Sequence, residues 1–118
     1  MRVDVSFKYL ESSKFIDNVL EKNIGKIERR LKIFRQDAPI HVSVHVEKNP
    51  HKEQYFCRTQ AYLPTKVLIS EENGRNASGA INKAFSAISK QLSKLKERIE
   101  HLRHKPRRNI SKDEFKYL

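Results

Sequence analysis

Apolar side chains recur through the last third of the chain at Ile81, Ala84, Phe85, Ile88, Leu92, Leu95, Ile99 and Leu102. At about 100° per residue they share one arc roughly 100° wide, which predicts a long amphipathic helix over Ala77–His104 with that stripe on a core. Nearer the start, Val3, Val5 and Phe7 alternate with polar neighbours, the period of two of a half-buried strand that ends near Lys8. Ser12 or Ser13 then offers an N-cap to a first helix running to about Phe34. Ile16, Leu20, Ile24, Ile27, Leu31 and Phe34 form its apolar face.

Pro39, in the segment Asp37, Ala38, Pro39, breaks that helix because it lacks an amide proton and disfavours a helical residue before it. Ile40, Val42, Val44 and Val46 alternate with His41, Ser43, His45 and Glu47 as a second strand. A third strand covers Tyr55 to Leu63, with Cys57, Thr59, Ala61 and Leu63 on one side and Phe56, Arg58, Gln60 and Tyr62 on the other. A fourth is expected over Val67 to Ser70, making strands two to four an antiparallel meander. Glu71 to Asn76 leads into the long helix.

The order β-α-β-β-β-α, with strands that bury only one face, defines an α+β class. It predicts a two-layer sandwich, a four-stranded sheet with both helices packed on one face. Residues 1–104 make this domain and residues 105–118 a basic C-terminal tail, mobile in the free protein, because Pro106 ends the helix and no period survives beyond it.

Charge adds a second pattern to the helices. Lys83, Lys90, Lys94, Arg98, His101 and Lys105 cluster in an arc of about 80°, centred roughly 120° from the apolar stripe of the long helix. On the first helix Lys22, Lys26, Arg29 and Arg30 form a similar ridge, apart from Asp17, Glu21 and Glu28. A charged helix face is commonly only a solvated surface. Two ridges on adjacent helices, expected around a shared groove in a 118-residue chain of net charge +11, point instead to a polyanion, with phosphate contacts dominating. Phe56 and Tyr62, on the far side of the sheet, are the candidates for base stacking.

Other chemistry finds little support. The three glycines are scattered and no P-loop is present. His41 and His45 share a strand face, and His101 and His104 lie a turn apart, but neither pair completes a metal site, so no cofactor or metal is expected. Ser78, Ser86, Ser89 and Ser93 lack an activating base and read as polar helix surface, and no enzyme is expected. The single Cys57 reads as a buried strand residue in a reducing compartment. No apolar run reaches the roughly 20 residues of a membrane span, and the alternating N-terminus is unlike a signal peptide, so the expected place is the cytoplasm.

The element order, the segment Gly25, Lys26, Ile27, Glu28, the triplet Ala80, Ile81, Asn82 and the stretch Lys90 to Lys96 resemble the ribosome hibernation-promoting factor family over residues 1 to 103. That family includes the ribosome-associated translation inhibitor also called protein Y. The resemblance implies a stress- or stationary-phase factor that silences translation. It would bind the small ribosomal subunit, contact 16S ribosomal RNA and occlude messenger RNA and the A- and P-site transfer RNAs. Lys26 matches the lysine of the family's Ala-Lys-Leu-Glu-like segment, and Lys90 and Lys94 match the basic positions of its Arg-Gln-Leu-x-Lys-like segment. Lys22, Arg29, Arg30, Lys83 and Arg98 join the RNA-binding set on the wheel argument alone. Asn76, Ala77 and Ser78 stand where family members often read Asp-Met-Tyr, although Asn76 retains a capping side chain. The resemblance also implies a short form, without the long form's dimerisation domain, and a monomer when free. Two other readings of the ridges stay open: a general double-stranded-RNA-binding module and a regulatory protein that contacts an acidic partner.

Overall fold

The computed structural model describes residues 1–33, 40–64 and 66–104, with side chains over the same ranges except Ile33 and residues 99–104. The expected helix break at 37–39, the apolar contributions of Phe34, Ile99 and Leu102, the placement of His101 and Lys105, and the tail at 105–118 lie outside the described residues. Strand β1 (Arg2–Lys8) is followed by α1 (Lys14–Arg30) and a 3-10 turn at Leu31–Ile33. Then come β2 (His41–Lys48), β3 (Tyr55–Tyr62), β4 (Val67–Gly74) and α2 (Ala77–His104). The sheet has the order β1-β2-β3-β4, and the fold is the expected α+β sandwich.

β1 pairs parallel with β2, in the register Val3↔Val42, Val5↔Val44 and Phe7↔Val46. A parallel pair needs a crossover, and α1 supplies it. The meander is antiparallel, with Val44↔Thr59 and Thr59↔Ser70 in one cross-strand row.

Two expected boundaries move. The first α-helix stops at Arg30 rather than near Phe34, because the backbone tightens into a 3-10 turn from Leu31 onward, and the Leu31 N–H still bonds the Ile27 carbonyl. β4 runs four residues past Ser70 to Gly74. Glu71, Glu72, Asn73 and Gly74 are poor strand formers, but each faces a residue of β3, from Arg58 back to Tyr55, and the ladder overrides their local preference.

The core lies between the sheet and the helices. Phe85, Ile81 and Ile88 of α2, Ile27 of α1, and Val42, Val44 and Val46 of β2 are fully buried with Cys57 and Thr59. Removing side chains of this size from water stabilises the fold by roughly 1.5–3 kcal/mol each. Polar groups inside are satisfied: Ser70 Oγ donates to the Ala84 carbonyl at 2.8 Å, joining β4 to α2. Val5 departs from its expected half-burial and is 39% exposed. α2 covers β3 and β4 while α1 packs against α2, leaving the middle of the outer strand β1 partly uncovered.

Each helix start is capped. Ser13 Oγ accepts from the Ile16 amide at 3.1 Å, and Asn76 Oδ1 accepts from the Gly79 amide at 2.6 Å. These caps fix the first turns and hence the lateral placement of the two helices.

Candidate nucleic-acid interface

The two helices run side by side in the same direction, since Asn23 of α1 bonds Asn82 of α2 at 2.9 Å and Arg30 bonds Ser93 at 3.0 Å further along both. Between them lies a groove of about 960 Å³. Lys22, Lys26, Arg29 and Arg30 form its α1 wall, with Phe15 and Val19 toward the start of the helix. Ser78, Asn82, Ser86, Ser89, Ser93 and Lys96 form the α2 wall. Phe85 and Leu92, each less than 3% exposed, close the floor. No acidic side chain is among the described residues that line it. One wall therefore supplies positive charge and the other a row of hydroxyl and amide groups ending in Lys96, a pairing suited to phosphate on one side and sugar or base edges on the other.

All four α1 cations are exposed and line the groove together. The α2 ridge does not join them, and the expectation of two ridges around one groove is corrected. Lys83, Lys90, Lys94 and Arg98 are exposed on α2, but none lines the groove, and Lys83 donates to the Asn73 carbonyl at the end of β4. The reason is angular. α1 approaches α2 along the line of Ser78, Asn82, Ser86, Ser89 and Ser93, and the lysines sit roughly 120° further around that helix. A helical wheel ranks positions relative to the apolar stripe but does not say on which flank the neighbouring helix lies. The cations thus occupy two surfaces, the groove and the outer side of α2.

The serines, read from sequence as plain helix surface, are groove residues. Their signal was present as spacings of four, four, three and four from 78 through 82, 86 and 89 to 93, one helical face. Lys96 and Asn23 were missed for the same reason. Phe15 was missed because one aromatic next to an N-cap carries no periodic signal.

The opposite sheet face is self-paired. His41 stacks on Tyr62 with ring centroids 5.4 Å apart and donates toward Asp4, while His45 Nε2 lies 3.2 Å from Glu47 and its Nδ1 2.8 Å from Ser6 Oγ. Arg58 pairs with Glu71 at 3.3 Å. Tyr62, a stacking candidate from sequence, thus already has a ring against it, and Phe56 is half-buried on the same face. His41 and His45 each face one carboxylate, and no cluster of three metal-ligating side chains occurs among the described residues. Cys57 is fully buried, and desolvation pushes its thiol up to about 11 against a small opposing hydrogen bond from Thr59.

Among the described residues, no helix is long and apolar enough to cross a membrane. A capped βαβββα sandwich with a cationic groove between its parallel helices is the class that fold and surface define. Residues 3–100 match the model of the Sigma 54 modulation protein / S30EA ribosomal protein family, and the chain belongs to that family. It is a family of ribosome-associated modulators, not of enzymes. The fold is similar to the N-terminal domain of protein Y from Thermus thermophilus, with a TM-score of 0.64 at 20% identity over 80% of this chain and 99% of that one. It is also similar to a ribosomal subunit interface protein from Coxiella burnetii, with a TM-score of 0.61 at 13% identity over 82% and 99% of the two chains. A comparison with curated protein sequences gave no match.

Proposed function

We propose that this protein is a cytoplasmic hibernation factor that binds the small ribosomal subunit as a monomer and silences translation in stress or stationary phase. It contacts 16S ribosomal RNA where messenger RNA and the A- and P-site transfer RNAs would lie, and it works by occlusion. The observation that carries this reading is the groove wall of Lys22, Lys26, Arg29 and Arg30, with no acidic side chain among the described lining residues, in a chain of net charge +11. Lys83, Lys90, Lys94 and Arg98 add a second set of phosphate contacts from the outer side of α2, which lets the domain touch RNA on more than one side. The family membership and the name of the Coxiella burnetii relative support a ribosomal partner. Residues 1–104 are assigned to ribosome binding, with residues 105–118 as a basic tail beyond that domain.

Sucrose-gradient sedimentation with purified ribosomes at near-physiological salt tests this. The protein is expected to move with small subunits and to be displaced by transfer RNA with messenger RNA. Lys90→Glu combined with Lys94→Glu changes two exposed side chains, so the fold is expected to persist while binding weakens sharply. Protein left at the top of the gradient would refute the ribosomal reading, and unaltered binding by the double variant would remove the outer ridge from the site.

A further inference from the structure

Phe15 is 66% exposed, more than any other large apolar side chain among the described residues, yet it does not stand on a loose segment. It lies in the first turn of α1, which Ser13 caps and which Ser12 braces by donating to Asp17 at 2.5 Å. Phe15, Val19, Lys22 and Lys26 follow one another at helical spacings of four, three and four and line the same groove. Because the helices are parallel and Phe15 precedes Asn23 by about two turns, the ring stands at the end of the groove near the start of α2. The first groove cation, Lys22, lies about 10 Å further along.

We propose that Phe15 is a stacking platform for an unpaired nucleobase, so that the groove takes single-stranded rather than duplex RNA. This rests on the RNA-binding reading above and adds the state of the RNA that the groove selects. The ring offers a rigid π-face held on ordered backbone. The phosphates of a strand whose base lies on it would run toward Lys22 and Lys26, and its sugar and base edges would face Ser78 and Asn82. A paired base inside a helix has both faces occupied by its neighbours and presents only edges, so a duplex leaves the ring without a partner. The charge of the walls decides against an apolar peptide as the occupant. A segment that covered Phe15 and Val19 would have to continue along five cations, Lys96 of α2 included, with no carboxylate among the described lining residues to oppose them.

The chain contains no tryptophan, so Phe15→Trp places a lone indole at the site. Its fluorescence is followed while purified small subunits, a short unpaired RNA oligonucleotide, a blunt-ended, loop-free RNA duplex of the same length and an acidic polypeptide are added in turn. Quenching by the subunits and the oligonucleotide but not by the duplex is expected. Phe15→Ala should bind both about tenfold more weakly than the unaltered chain, and Phe15→Tyr should restore affinity. An unquenched indole in an RNA complex that does form, or equal affinity of Phe15→Ala, overturns the stacking role while leaving the ribosomal reading intact. Quenching by the acidic polypeptide alone overturns it in favour of a protein partner. Failure of the unaltered chain to bind subunits or oligonucleotide removes both readings together.

Discussion

Arg30 reaches from α1 across the groove and donates Nη1–H to Ser93 Oγ on α2 at 3.0 Å. The contact ties the helices at the level of the last α1 turn and holds a guanidinium beside the hydroxyl-lined wall. A carboxylate in place of that hydroxyl would pair with Arg30 directly. Ser93→Glu is therefore expected to leave the melting temperature unchanged within a few degrees, since an exposed ion pair contributes only about 0–1 kcal/mol. It should weaken small-subunit binding by roughly tenfold, because it places negative charge in a groove that takes phosphate. Filter binding and thermal unfolding measured on the same preparation check both halves, and an affinity that the substitution leaves unaltered would exclude Ser93 from the contact surface.

The groove cations predict a defined salt response. Each phosphate contact that is lost lowers the slope of log affinity against log salt by about one. Lys22→Ala with Lys26→Ala should therefore flatten the slope by about two, with a similar loss on any RNA sequence because phosphate contacts carry no base information. A slope equal to that of the unaltered chain would mean that these lysines only face solvent.

Strands and helices were legible in the sequence because each buries one face of a regular period: Val42, Val44 and Val46 mark β2, and Ile81, Phe85 and Ile88 mark α2. What was not legible depends on packing between elements. The last four residues of β4 have turn-like composition and become a strand only through pairing with β3. The grouping of the α1 cations could be read from a wheel, but the divergence of the α2 lysines from the groove required knowing which flank of α2 meets α1. The polar wall of Ser86, Ser89 and Ser93 became a candidate site only when that flank was known.

Gly74 and Gly25 make opposite predictions. A Cβ on Gly74 would sit 2.6 Å from the Ala80 amide nitrogen and 3.1 Å from the Gly79 carbonyl carbon, both backbone atoms of the first turn of α2. Gly74→Ala must push that turn away from the sheet and is expected to cost about 1–3 kcal/mol. A Cβ on Gly25, inside α1, meets nothing within 4 Å. Gly25→Ala should stabilise by about 0.5–1 kcal/mol through the better helix propensity of alanine. Urea unfolding of the two variants decides, and a neutral Gly74→Ala would show that α2 can shift at its start without loss.

The α2 cap gives a third stability test. Asn76 Oδ1 satisfies the Gly79 amide, one of the donors that a helix start leaves without an intrahelical partner. Asn76→Ala is expected to cost about 1 kcal/mol and Asn76→Asp to retain the cap, with negative charge well placed at the helix start. Equal unfolding midpoints for Asn76→Ala and the unaltered chain would mean that solvent satisfies the amide as well.

Cys57 links the core to alkaline pH. Burial raises its thiol from 9.0 to about 11, because a thiolate there would lose its hydration with only Thr59, 3.7 Å away, to compensate. In the unfolded chain the thiol ionises at its lower value, so the unfolded state sheds a proton that the folded state keeps. Stability from this group is therefore fully present below pH 9 and is lost progressively as pH rises toward about 11, by about 2–3 kcal/mol. Other effects of high pH act on both chains alike, so the comparison is with Cys57→Ala. That variant lowers stability at pH 7 by opening a small cavity, and its disadvantage should shrink between pH 9 and 11 as the intact chain meets its extra loss. Urea midpoints for both chains at pH 7, 9 and 10.5 check this. A constant gap across the three would mean that the thiol ionises alike in the folded and unfolded chains.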